Sequence, residues 1–162
     1  MDVKKYLELS QKKELVNTLG YEVIRDILVP ELIGDNHNIL YWAGKRLARE
    51  VYLAKDDDLP VFFSEAGWGD LKRIKGNKKQ QLFELSGDVV QLRNQVVKQA
   101  DFLLEAGFLA ETIQLQSGFV CEAIIKEIKK KSGIISFLVQ LDPEDSIDSA
   151  LIPDKEPLQF TE

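Results

Sequence analysis

Apolar positions recur at helical spacing up to about residue 68, and the pattern then gives way to alternation. Residues 4–18 are amphipathic but mixed, with Tyr6, Leu7, Leu9, Leu15 and Val16 set among Lys and Glu, which predicts a short helix. In 20–33, Val23, Ile24, Ile27, Leu28 and Leu32 recur at three and four, the stripe expected of a core-facing helix. Pro30 lacks an N–H and crowds the preceding turn, so it is expected to break or kink this helix near its end. Gly34 then stops it, and Asp35, Asn36 and Asn38 offer caps for the next helix. That helix spans about 37–54, with Leu40, Ala43, Leu47 and Val51 as its apolar face, widened by Ile39 and Trp42. Lys45, Arg46, Arg49 and Glu50 fall mostly on the other side. The segment DDDLP (56–60) reads as a loop, from which Pro60 opens a short helix, VFFSEAGW.

From Gly69 the stretch DLKRIKGNKKQQLFELSG predicts a β-hairpin with Gly76 and Asn77 at its turn. Residues 87–95 fit a strand or a helix. A long helix follows over roughly 96–116, ended by Ser117 and Gly118. FVCEAIIKEI and IISFLVQL then read as two strands around Lys130–Gly133, with Ile135, Phe137, Val139 and Leu141 facing one way. Two hairpins make a four-stranded antiparallel sheet, and the helices must cover one of its faces: an α+β, two-layer domain. The domain is placed at 1–145 and an acidic, proline-containing tail at 146–162. The tail is expected to be loose, although Leu151, Ile152, Leu158 and Phe160 give it the means to dock.

Composition narrows the class. A chain of 162 residues suits one domain, large enough to hold together without staples. One cysteine, Cys121, precludes an intrachain disulfide and points to a reducing compartment. The first residues lack the apolar core of a signal peptide, and no apolar run reaches the ~20 residues of a membrane span. A cytoplasmic protein is expected. Residues 142–162 carry seven acids and one base, which accounts for the whole net charge of −6. A neutral body with an acidic end argues against nucleic-acid binding, which needs a basic footprint.

Candidate chemistry is sparse. His37 is the only histidine, in the GDNHN connection, and a lone histidine without thiol partners cannot build a zinc site. Cys121 lies in an apolar strand beside Glu122, a setting that favours a buried thiol over a reactive one. Glu105 and Glu111 are six apart on one helix and do not share a face. Ala106, Gly107 and Ala110 are small residues that either let another helix approach or floor a ligand pocket; mid-helix Gly costs about 1 kcal/mol against Ala. Gly44 raises the same question within ILYWAGKRLARE, where Trp42 and Arg46 lie one turn apart. Trp42 either closes the core, meets a second subunit or rims a cavity. There is no phosphate loop, dinucleotide fingerprint, zincin motif or serine elbow, and the consecutive Asp56, Asp57 and Asp58 lack calcium-loop spacing.

YEVIRDILVPELIG, NILYWAGKRLA, FFSEAGWGDL, FLLEAGFLAETIQLQ and the closing QLD resemble the YslB-like family of Firmicutes proteins, over roughly residues 20–145. More distantly, LYWAGKRLA and the EAGFLA helix with its following hairpin are similar to the 4-vinyl reductase domain and the TRAPP vesicle-tethering subunits. The resemblance implies a helix-plus-antiparallel-sheet fold, dimers joined through N-terminal helices, and an internal pocket for small or hydrophobic molecules. The metal-binding cysteines and haem-ligating histidine of some relatives have no counterpart here, so no metal and no cofactor are carried over. Three functions are in play. The first is a homodimeric binding module joined through helices 20–33 and 37–54. Its hydrophobic ligand would lie among Trp42, Trp68, Glu105, Gly107 and Phe108. The second is an interaction scaffold with no pocket. The third is an enzyme working through Glu105, His37 or Cys121; no catalytic set is assigned.

Overall fold

The computed structural model describes residues 18–160, so the helix expected over 4–18 falls almost wholly outside the described residues. The chain enters as one continuous helical rod: α1 (Thr18–Val23), a π-helical stretch (Ile24–Leu28) and α2 (Val29–Ile33). Pro30 does not break this rod. The wider π turns precede it, so the ring and missing N–H are absorbed where the usual hydrogen-bond ladder is already shifted. After a tight connection come α3 (Asn38–Val51) and α4 (Asp58–Glu65).

The first hairpin is β1 (Asp70–Gly76) and β2 (Gln80–Ser86). The Asn77 side chain braces its turn by accepting from the backbone N–H groups of Lys79 (2.8 Å) and Gln80 (2.9 Å). The ambiguous stretch becomes a helix, α5 (Asp88–Val96), and the long helix α6 spans Leu103–Ser117. It starts later than its apolar content suggested, because residues 97–102 form a connector whose Asp101 carboxylate accepts from the N–H of Leu103 at 2.7 Å. Strands β3 (Phe119–Lys129) and β4 (Ile134–Ser146) form the second hairpin. The sheet is fully antiparallel in the order β1-β2-β4-β3, which joins the two hairpins through β2 and β4. The expected α+β architecture is what the chain adopts.

The core lies between the sheet and α6. Phe83, Leu85, Ile135, Phe137 and Val139 point from β2 and β4 into it, and every residue from Glu105 to Gln114 is buried. A helix buried on all sides has neighbours on all sides: the sheet lies against one side of α6 and α3 against another. The α3–α6 crossing is made backbone to backbone. A Cβ on Gly107 would stand 1.9 Å from the carbonyl oxygen of Tyr41, and one on Gly44 would stand 2.1 Å from that of Leu104. Each glycine receives the other helix, so the small residues serve helix packing.

Two burial expectations are corrected. Leu19, Val23, Ile24, Ile27, Leu28 and Leu32 point to solvent, Leu19 at 73% and Leu32 at 75% exposure, so this face is not the core-facing one. The buried face of α3 is Gly44, Lys45, Ala48 and Val51, rotated from the expected row; Ala43 is exposed and Lys45 is inside. The crossing sets that rotation, because only the face bearing Gly44 admits another backbone.

The tail follows the body. The Leu158 N–H donates to the Tyr52 carbonyl (2.7 Å), and its own carbonyl accepts from Ala54 (3.3 Å), a single parallel bridge to Leu53. The Phe160 N–H donates to Asp58 (2.8 Å). Docking, not looseness, describes residues 147–160.

Two outcomes follow for stability. Gly107→Ala should destabilise by about 2–4 kcal/mol, because the obstruction is main chain and the helices must part. Chemical denaturation checks it, and a loss under 0.5 kcal/mol would mean that the crossing yields freely. Deleting residues 147–162 should lower the melting temperature by several degrees, about 2 kcal/mol for partly buried Leu151, Leu158 and Phe160. An unchanged melting curve would show that the docked tail contributes nothing.

Candidate functional site

The α1–α2 rod turns its charges inward. Glu22, Arg25 and Asp26 recur at three and four, so they share one face, and that face meets α5 and α6. Arg93 of α5 is the hub, buried and held over the Phe102 ring at 4.6 Å. Its guanidinium forks onto Asp26 with Nε–Oδ2 at 3.0 Å and Nη2–Oδ1 at 2.7 Å. It also donates to the Asp101 carbonyl (3.0 Å) and lies 3.3 Å from Glu22 and 3.7 Å from Glu105. Arg25 pairs with the fully buried Glu105 and donates to the Tyr21 hydroxyl at 3.0 Å.

Three carboxylates thus meet two guanidiniums. An unbalanced buried charge is expensive, and the imbalance is relieved on Glu22. Burial, then a hydrogen bond shared with Asp26, pushes its carboxyl up to about 7. Burial acts on Asp26 too, but the Arg93 fork and charge outweigh it and hold that group below the usual carboxylate range. Neither oxygen of Glu22 has a well-formed hydrogen bond from a donor.

Above this ionic floor lies a groove of about 580 Å³. Leu19, Val23 and Ile27 form one wall, a row at four-residue spacing; Leu92 and Val96 of α5 form the other. Its size is that of a small-molecule site. A larger depression, about 950 Å³, runs past the β1–β2 turn and the end of β4, but it is open and lined by Lys78, Lys79, Glu122, Asp142 and Glu144.

A second ionic group ties α3 to α6 and β3. Lys45 reaches Glu122 at 2.9 Å, and Arg49 reaches the buried Glu111 at 2.6 Å. The Tyr41 hydroxyl donates to Glu122 and accepts from the N–H of Ala123 (3.0 Å). Burial, then the bond to Glu122, raises its pKa well above a normal phenol.

The five sequence-derived site residues separate. Trp68 and Phe108 come together, ring centroids 5.3 Å apart, in a cluster with Phe62 and Phe63; Phe62 stacks on Phe108 at 4.7 Å. Those four rings pack against one another. Glu105 points into the ionic floor and Gly107 into the helix crossing. Trp42 is 63% exposed, edge-on to Tyr41, with the Lys45 ammonium 5.6 Å from its ring. His37 lies at the start of α3, 3.2 Å from Asp101, and Cys121 lies buried in β3. Burial pushes the Cys121 thiol up to about 11. Glu22, Asp26 and Arg93 were not singled out from the sequence. Their signal was the polar row Glu22-Arg25-Asp26, whose inward direction depends on Arg93 some seventy positions away.

Comparison with solved structures places the fold. The chain is similar to a vinyl-4-reductase family protein from Methanocaldococcus jannaschii, with a TM-score of 0.64, 15% identity, and coverage of 88% of this chain and 96% of that one. A looser likeness, TM-score 0.47 at 11% identity, covers 91% of this chain and all of a trafficking protein particle complex subunit 3 from Naegleria fowleri, which was crystallised covalently bound to palmitic acid. This is the α+β fold of the vinyl-4-reductase group. Within it the chain belongs to the family described as "Protein of unknown function (DUF2507)", whose model matches residues 18–140. It is 38% identical over 133 residues to the Bacillus subtilis (strain 168) protein called "Uncharacterized protein YslB", covering 82% of this chain and 89% of that protein. Among the described residues, no helix is long and apolar enough to cross a membrane.

Protonation of Glu22 gives a stability signature. Its folded pKa of about 7 lies above its ordinary 4.5, so between those values the folded state keeps a proton that the unfolded state has lost. Stability therefore falls as pH rises through this window. Partial solvent access reduces the effect to about 1–2 kcal/mol. Glu22→Gln should remove this slope and be the more stable form at pH 8. Melting curves from pH 5 to 8 read it, and parallel curves for the two proteins would refute the assignment.

Proposed function

We propose that this protein is a cytoplasmic, dimeric binding module for a small hydrophobic ligand. One observation carries the reading: the α1–α2 rod is turned inside out, with ionised groups against the body and two apolar rows toward solvent. A monomer gains nothing from exposing such rows, and contiguous exposed apolar surface marks an interaction site. The rows have different surroundings. Leu19, Val23 and Ile27 wall the groove, which is the ligand's place in this reading. Ile24, Leu28 and Leu32, with Ile39 and Trp42 of α3 as further exposed apolar side chains, are its dimer face. A twofold contact would set this face against its own copy.

The ligand position in this reading differs from the one expected among Trp42, Trp68, Glu105, Gly107 and Phe108. Trp68 and Phe108 then back the core, Gly107 and Glu105 set the helices, and Trp42 belongs to the subunit contact. The mutual packing of Phe62, Phe63, Trp68 and Phe108 favours the competing scaffold reading at that position.

Native mass spectrometry of freshly purified protein tests both parts. The expected species is a dimer carrying an extra mass that denaturation removes. Leu28→Glu with Leu32→Glu should give monomers with an unchanged circular dichroism spectrum, since both side chains are exposed. A monomeric parent protein would overturn the dimer, and a dimer without added mass would favour the scaffold.

A further inference from the structure

The groove between the α1–α2 rod and α5 has a mouth and a floor of opposite character. Its walls are aliphatic, while Glu22, Asp26 and Arg93 form its base. Arg93 is spent: its fork holds Asp26, it donates to the Asp101 carbonyl, and its third nitrogen faces Glu105. Arg25 is spent on Glu105 and Tyr21. Glu22 is left over: Arg93 Nε stands 3.3 Å from one of its buried oxygens without forming a hydrogen bond, and its other near neighbour is the Asp26 carboxylate, with which it shares a proton. The site therefore lacks one positive charge and at least one donor, at the bottom of an apolar slot.

We propose that this groove binds an aliphatic amine, its hydrocarbon body between Leu19, Val23, Ile27, Leu92 and Val96 and its ammonium on the carboxylates of Glu22 and Asp26. The inference rests on the groove reading above and adds the chemical class of the ligand. An ammonium supplies both missing items, a charge and up to three N–H donors. A carboxylate or phosphate head would add a fourth negative charge to a floor that already has three against two. A neutral alcohol supplies a donor but leaves the charge unbalanced.

Proton linkage follows. The groups facing Glu22 are Asp26 and Arg25 on its own helix, Arg93 from α5, and Glu105 from α6 beyond Arg93. Without a ligand, a proton on Glu22 balances the set at pH 6; an ammonium replaces that proton and releases it. Amine affinity should therefore rise about tenfold from pH 6 to pH 8.

The experiment is calorimetric titration of the full chain with octylamine, 1-octanol and octanoate, each below its micellar concentration. Octylamine is expected to bind at least about tenfold more tightly than 1-octanol, with proton release at pH 6 and little at pH 8. Glu22→Gln should abolish both the preference and the release while still binding 1-octanol, which also shows that the variant is folded. Equal binding of the amine and the alcohol would overturn the amine assignment and leave the groove reading standing. Preference for octanoate would overturn it in favour of Arg93 as the head-group partner. No uptake of any probe would mean that protein, from this chain or a second copy, already fills the groove, and both readings would fall.

Discussion

The crossing of α3 over α6 at Gly44 and Gly107 is the constraint from which the other placements follow. Main chain meets main chain there, so neither helix can rotate about its axis without driving a side chain into the other's backbone. With α3 fixed in rotation, Lys45 and Arg49 turn toward Glu111 and Glu122 instead of water. With α6 fixed, Glu105 points to the N-terminal rod and Phe108 to the aromatic cluster on the opposite flank. Two glycines thus decide where Lys45, Glu105 and Glu111 are buried.

Those ionised groups give the molecule an unusual division of labour. Most domains cover apolar surface with apolar surface and leave charge outside. Here α6 and the sheet do so, but the rod over residues 18–33 is attached through guanidinium–carboxylate pairs. Buried pairs of this kind contribute little net stability over a hydrophobic replacement. What they provide is direction: the fork of Arg93 accepts Asp26 in one orientation, and that orientation sends six aliphatic side chains outward.

Much of the fold was legible in the residues. Alternation in QQLFELS and IISFLVQL marks strands with one buried face, Gly76-Asn77 marks a turn, and AGFLA marks a helix that another backbone touches. The direction of the N-terminal helix was not legible. Periodicity locates an apolar face without saying what covers it, and the usual assumption that it faces inward fails when a distant arginine claims the polar face. Lys45 was misplaced for the same reason, since its burial depends on Glu111 and Glu122 from other elements. The groove was illegible because its two walls and floor come from segments that the chain brings together only on folding. Phe108 and Trp68 were recognisable as aromatic anchors, but composition does not distinguish rings that line a cavity from rings that fill one.

The contact between Phe160 and Asp58 joins positions 102 apart in sequence, and the Leu158 bridge to Leu53 lies beside it. A ribosome delivers these residues after all the other described elements. The connection between α3 and α4 therefore waits for partners that are made some hundred residues later, at ordinary rates of about 5–20 residues per second. Until then Leu53, buried in the finished protein, lacks the strand that pairs with it. A chain still in synthesis thus presents an open edge beside its core, the kind of surface that chaperones shield.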